Sequence, residues 1–420
     1  MYDMCAGVRV VELATWTFVP AAGAVLADWG ADVIKIEHPV MGDPQRGLNA
    51  SRRASPDPEM LTRGEPPPTS LRNVSDSNFP LMEVPNRGKR GMTLDVSRSE
   101  GLGVLYRLVQ SADVFITNLR PSAVNKLKID VDSLRAQNPR LIYARGSGYG
   151  PLGPESEQAA FDLVATWTRA GMADKMTVDG DEPPVMPGSL GDLTSGLAMA
   201  GAIAAALFRR ERTSIPAVVD VSLLATGLWF MSQSITGQPF GKEVEFQRHD
   251  RPRQPLVNFY RTKDRRWICL CMLQADRWWP DFCARVGRPD LCESPKFMTH
   301  ELRMTHLTEC VDELDRLFAE RTHDEWRAVL AGIEGPWALS QTAAEVRSDP
   351  QVIANGYLSE AVRADGTTFK VVASPAQFDD ASLGTVRASP NVGEHSEEIL
   401  LEMGLSWDEI IELKLNDVVL

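Results

Sequence analysis

Asp192 stands at the mouth of a long apolar segment, MPGSLGDLTSGLAMAGAIAAALFRRERT, which Arg209, Arg210 and Arg212 close. Apolar residues with an acid in front and bases behind predict a helix whose dipole favours both charged ends. The aspartate then has two chemical readings. As an N-cap it accepts a backbone N–H of the first turn. As a nucleophile it is held ionised by those same amides, because a carboxylate must be deprotonated to attack an acyl carbon. The two are compatible, and the segment alone does not choose between them.

Other groups that could meet a ligand follow predicted strands. The turn ATWTFVPAAG carries Thr15, Trp16 and Thr17 to the end of the first strand, and His38 follows the strand ADVIKIE. Lys89 lies in NRGKRGMTLD, and Asn118, Arg120 and Lys126 lie in TNLRPSAVNKL. Arg120 precedes Pro121, a residue suited to the first position of a helix, so a guanidinium and free helix N–H groups could meet one phosphate. The six histidines are dispersed, and the six cysteines show no CxxC pair and no metal-ligand spacing, so no metal site is expected and the thiols read as reduced and buried. Cys269 and Cys271, two apart in WICLCML, share a strand face and read as packing residues. The first turn lacks GxGxxG, which argues against a dinucleotide, and Walker A, HExxH, GxSxG and EF-hand patterns are absent.

Positioning these groups requires a scaffold, and the pattern supplies one. VRVVEL, PAAGAVLADWG and ADVIKIE read as strand, helix and strand. The alternation repeats with a helix opening on a Ser97–Glu100 capping box, the strand DVFITN, a helix from PSAVNKL and the strand RLIYARGSG. This predicts an α/β fold with a parallel sheet covered on both faces and ligands at the carboxyl ends of its strands. From about residue 256 the grammar changes to two strands around KDRR and short helices near 275–286, 308–320 and 323–332. Two domains follow: a large one over 1–210, completed by about 375–420, and a smaller α+β one over 225–340, with 211–224 and 341–374 as linkers. Residues 48–80, rich in Pro, Ser, Asn and Arg, read as an irregular excursion.

At 420 residues and 43% hydrophobic the chain can bury a sizeable core. A net charge of −13 argues against general attraction to nucleic acid or an anionic membrane. The N-terminus has no secretory pattern and the apolar run 197–208 is short for a bilayer, so a cytoplasmic location is expected.

Blocks in order along nearly the whole chain, among them GVRVVELATWTFVPAAGAVLADWGADVIKIEHP, NRGKRGMTLDV, NLRPSAVNKL, NPRLIYARGSGYGPLGP, GDLTSGLAMAGAIAAALFRRERT, DPQVIANGY and GEHSEEIL, resemble the family III (CaiB/BaiF-type) CoA-transferases. The resemblance implies a Rossmann-like large domain built from both chain ends, a smaller central domain and an interlocked homodimer, with a heteromer as the alternative assembly. It implies coenzyme A, as acyl-CoA, for substrate and no metal. The family's nucleophile falls on Asp192, and its CoA contacts fall on Thr15, Trp16, Thr17, His38, Lys89, Asn118, Leu119, Arg120 and Lys126. Backbone amides near Gly191 are expected to stabilise oxyanions. The acyl pocket is expected between the domains, involving residues 48–80, Tyr149 and the partner chain.

Two departures from related sequences matter. No GGGG loop occurs, and TGQPFGKEVEF is not its equivalent. Where related racemases place a His before the Asp of an HD block, this chain has Phe161 before Asp162. Epimerisation needs an acid and a base flanking the α-carbon, and phenylalanine is neither. The expected activity is therefore transfer of CoA from an acyl-CoA to a carboxylate through an aspartyl-CoA thioester, with Asp162 an orienting carboxylate. An α-methylacyl-CoA racemase or other acyl-CoA isomerase, and a non-catalytic acyl-CoA-binding subunit of a heteromeric transferase, remain as alternatives.

Overall fold

The computed structural model describes residues 2–47, 80–178, 180–242, 248–249 and 252–420. The excursion expected over 48–80 thus lies outside the described residues except at its last position, as do residues 243–246 of TGQPFGKEVEF. Six strands, β1 (Arg9–Leu13), β2 (Asp32–Glu37), β3 (Arg90–Thr93), β4 (Val114–Thr117), β5 (Ile142–Ser147) and β6 (Val218–Ser222), form one all-parallel sheet in the order β3-β2-β1-β4-β5-β6. This is the doubly wound order, whose direction reverses between β1 and β4.

Alternate residues of each strand feed opposite cores, as a strand's two-residue period requires. Val10, Val33, Val114, Ile142 and Val219 pack with α1 (Phe18–Asp28) and α5 (Leu190–Thr213). Val11, Ile34, Phe115 and Tyr143 pack on the other face with α2 (Ser99–Gln110), α4 (Val131–Gln137), α9 (Ser396–Glu402) and α10 (Trp407–Leu415). Between β4 and α4 runs the short helix α3 (Pro121–Lys126), with Pro121 in its first turn. Helix α5 sits close on α1 because Gly196 has no side chain: a Cβ there would lie 2.8 Å from the Phe18 carbonyl oxygen. At 24 residues α5 reaches the length of a bilayer span, which its apolar run understates, yet Met199, Ala200 and Ile203 on its inner face are fully buried.

The chain divides into two compact units, residues 1–243 with 351–420, and residues 244–350. In the second, β7 (Val257–Arg261), β8 (Trp267–Cys271) and β9 (Trp337–Leu339) form an antiparallel sheet, packed with α6 (Ala275–Val286), α7 (Leu307–Phe318) and α8 (His323–Leu330).

Several local expectations are corrected. The stretch 211–224 is not a linker, since VVDVS completes the parallel sheet as β6. Nor is 341–374, which contains β10 (Leu358–Val362) and β11 (Thr368–Val372), joined by β12 (Val386–Arg387) in a second small sheet of the first unit. Both segments contain short strands that read as linker until neighbours are present to pair with them. The Ser97–Glu100 capping box does not form, because Asp95 accepts both the Ser97 N–H and hydroxyl and α2 starts one turn position later. The corresponding box at Ser406 and Glu409 does form. In β8 the buried side chains are Ile268 and Leu270, so Cys269 and Cys271 lie on the outward face, Cys271 exposed.

Candidate active site

The strand order reverses between β1 and β4, and in doubly wound sheets the ligand crevice lies at the carboxyl ends of the strands at such a switch. Its two lips are the turn after β1, Ala14 to Thr17, and the turn after β4, Asn118 to Arg120. Asn118 ties them together: its Oδ1 accepts the Thr15 N–H at 3.1 Å and its Nδ2 donates to the Thr15 carbonyl at 2.6 Å. Trp16 takes the left-handed conformation, φ 68°, a costly choice for a bulky side chain. Asp43 holds it there by accepting the Trp16 N–H at 3.1 Å, and Gln45 accepts the Thr17 hydroxyl at 3.1 Å.

Beneath this lip lies a buried ionic network. Lys35 Nζ donates to the Ala14 carbonyl at 3.0 Å, to Asp43 at 2.9 Å and to Glu12 at 3.3 Å. Lys89 Nζ donates to both Glu12 oxygens at 2.6 and 2.8 Å, to the Pro20 carbonyl and to Asn86. Both lysines are fully buried. The expectation that Lys89 holds a CoA phosphate is therefore corrected, since its ammonium is enclosed and committed to Glu12. Sequence reasoning passed over Glu12, Lys35 and Asp43. The available signal was a charge inside RVVEL and DVIKIE, strands whose parallel pairing buries both faces.

The remaining cations divide differently. Arg120 and Lys126 are exposed, and neither forms an ion pair among the described residues. The helix start beside Arg120 is not free as expected, because Glu157 accepts both the Ser122 N–H and its hydroxyl at 2.8 Å. His38 Nδ1 accepts the Val40 and Met41 N–H groups at 3.1 and 3.3 Å, and its Nε2 lies 3.9 Å from Asp95. Leu119 lines a cavity of about 420 Å³ with Val124, Tyr143, Arg145 and Ser147. Tyr149, half-buried after β5, packs against the core and lies under the Arg169 guanidinium, 5.9 Å from the ring centre. Among the described residues no group of three or more His, Cys, Asp or Glu side chains is placed to hold a metal.

Asp192 sits in the first turn of α5, which Ser189 opens without a side-chain cap. The capping carboxylate comes from elsewhere. Asp162, buried at the start of the π-helix Leu163–Arg169, accepts the Gly191 N–H at 2.8 Å and the Asp192 N–H at 3.2 Å through one oxygen. Gly191 permits that approach, for a Cβ there would lie 2.0 Å from Asp162 Oδ1 and 2.5 Å from the Thr166 hydroxyl. Two expectations change. The amides near Gly191 that were assigned to oxyanions are occupied by Asp162. Nor do those amides hold Asp192 ionised: burial, then the charge of Asp162, pushes its carboxyl up to about 7. Asp162 is itself raised by burial, with the Asp192 and Gly191 N–H groups and Thr166 opposing the shift. A half-buried carboxyl with a pKa near neutrality and its side chain out of the capping role is suited to nucleophilic or acid–base chemistry.

The turn after β1 reaches the Asp162 segment by aromatic contact, the Trp16 and Phe161 rings meeting edge to face with centroids 5.2 Å apart. Comparison with known proteins fits this layout. The family profile described as CoA-transferase family III matches residues 5–396. The chain is 31% identical to (R)-2-hydroxy-4-methylpentanoate CoA-transferase of Clostridioides difficile over 413 residues, 98% of each chain. It is also 31% identical to cinnamoyl-CoA:phenyllactate CoA-transferase of Clostridium sporogenes, covering 98% of this chain and 96% of that one. A solved CaiB/BaiF family protein from Brucella suis superposes with a TM-score of 0.77 at 27% identity, covering 96% of this chain and all of the other. A doubly wound parallel sheet, a family match over residues 5–396 and 31% identity to CoA-transferases over nearly the whole sequence place this chain in CoA-transferase family III.

Proposed function

We propose that this CoA-transferase works through covalent catalysis at Asp192. The enzyme uses CoA thioesters and carboxylate acceptors, as its family does. The Asp192 carboxylate attacks the donor thioester carbonyl, forming an acyl–aspartyl anhydride and expelling CoA thiolate. The thiolate attacks the aspartyl carbonyl, releasing the donor acid and leaving an aspartyl-CoA thioester. An acceptor carboxylate attacks that thioester, forming a second anhydride and freeing the thiolate again. The thiolate then attacks the acceptor acyl carbon, giving the new acyl-CoA and regenerating the carboxylate. The thioester bond energy is conserved throughout, so no step requires ATP.

The observation that carries this reading is the division of labour between two aspartates. Asp162 takes the helix N–H groups, and Asp192 keeps its side chain available beside the crevice. Arg120 and Lys126 are the cations suited to the CoA phosphates, and Asn118 and Thr15 shape the lip between them and Asp192. The racemase alternative finds no support in Phe161, which can neither take nor return a proton. Trapping with hydroxylamine during turnover, followed by peptide mass mapping, tests the proposal. A hydroxamate at Asp192 is expected, and modification elsewhere, or none, refutes it.

A further inference from the structure

The side chains around Asp192 are unusual for a site that handles carboxylates. Phe161, Leu190 and Leu193 are 54%, 44% and 39% exposed, although each is apolar. Phe161 adjoins Asp162, whose carboxylate is bonded to the Asp192 N–H, while Leu190 and Leu193 share the first turn of α5 with Asp192. Leu163 and Val164, at the start of the following π-helix, are exposed apolar side chains as well. Leaving large apolar side chains partly in water forfeits part of their burial free energy. Several together beside one reactive carboxyl mark a ligand surface rather than scattered surface residues.

Trp16 completes the surface from the opposite lip. Its ring meets Phe161 edge to face at 5.2 Å, and its backbone is held in the left-handed region by Asp43, itself anchored on buried Lys35. A relaxed backbone at residue 16 would carry the indole elsewhere. Charged support under a strained aromatic residue indicates that the ring's position is the feature maintained. Edge-to-face geometry also suits a third ring or a branched chain packed against the pair.

We infer that Trp16 and Phe161 form the acyl-side wall of the Asp192 site and select bulky apolar acyl groups, aromatic or branched, over short or dicarboxylic ones. This rests on Asp192 being the nucleophile. It names the substrate class, which that assignment leaves open. A dicarboxylic acyl group would bring a second charge against the apolar side chains of Trp16 and Phe161, which cannot pair with it. An acetyl group would leave the wall in contact with water.

Isotope exchange between an acyl-CoA and its own labelled acid tests the wall without needing to know the natural acceptor. The probes are 3-phenylpropanoyl-CoA, 4-methylpentanoyl-CoA, succinyl-CoA and acetyl-CoA. In the wild type, exchange of the first two is expected to exceed that of the last two at least tenfold in kcat/KM. Phe161→Ala, at an exposed position whose truncation leaves the core intact, is expected to lower phenylpropanoyl exchange about 10- to 200-fold. Acetyl exchange should stay within about threefold. Equal loss for every donor, no loss for any, or a wild-type preference for succinyl-CoA would overturn the wall. Hydroxylamine trapping separates the two levels: a hydroxamate at Asp192 without acyl discrimination refutes the wall alone, whereas no hydroxamate and no exchange with any donor refute the nucleophile and the wall together.

Discussion

Replacing Asp192 with Asn should abolish turnover and, above neutral pH, stabilise the fold. The side chain keeps its shape and loses its charge. In the folded chain the carboxyl titrates near 7, against an ordinary value of 3.8, because burial and then Asp162 disfavour its ionised form. Between those two pH values the folded protein holds a proton that the unfolded chain has released. Stability therefore falls as pH rises from about 4 to about 7 and is level above. About three units at about 1.4 kcal/mol each set a ceiling of about 4 kcal/mol. The carboxyl is only half-buried, so solvent screening brings the expectation to about 2 kcal/mol. Urea unfolding of wild type and variant at about pH 8 should show the variant more stable by that amount, with the difference shrinking towards zero near pH 4. Mass spectrometry of the purified variant establishes that the Asn has not deamidated. A variant no more stable than wild type at pH 8, or a difference independent of pH, refutes the argument that Asp192 is ionised against its environment. Full turnover by the variant refutes its role as nucleophile.

The remaining predictions follow from the same geometry. Wild-type kcat/KM should rise with pH through a limb near 7, as Asp192 ionises, and Asp162→Asn should move that limb to lower pH by removing a neighbouring negative charge while its amide oxygen still caps α5. An unmoved limb would show that Asp162 does not act on Asp192. Gly191→Ala places a methyl 2.0 Å from Asp162 Oδ1, so the cap must shift; a loss of about 1–3 kcal/mol in stability and at least tenfold in kcat is expected, read by denaturation and steady-state kinetics. Arg120→Ala should weaken CoA binding in calorimetry and reduce its salt dependence, with little change in stability, because the guanidinium is exposed. Lys89→Met should do the reverse, costing about 3–5 kcal/mol by leaving Glu12 buried with Lys35 its one remaining partner among the described residues.

Much of this protein is legible from local pattern because the determining forces are local. Buried parallel strands read as continuous apolar runs, and Pro121 and the Ser406–Glu409 box mark helix starts through their immediate neighbours. Asp192 was visible as a chemically ambiguous residue at a helix mouth for the same reason. The ambiguity could not be resolved there, since the residue that decides it, Asp162, is thirty positions away and reaches α5 only when the chain is folded.

The same limit explains Lys89. Its spacing from Arg90 and its place before a strand suggest a cation at a ligand cleft, and only the packing of β1, β2 and α1 reveals that Glu12 encloses it. Short strands such as β6 and β10 carry too little local signal to be distinguished from connections, because their stability comes from the neighbour they pair with. Sequence alone therefore determined the strand and helix alternation and the aspartate at the helix mouth, both set by short-range propensity and periodicity. The tertiary structure decided which carboxylate caps and which stays available, which lysines are committed to the core, and that Trp16 and Phe161 meet. Those outcomes depend on burial and on charges distant in sequence, which no local window contains.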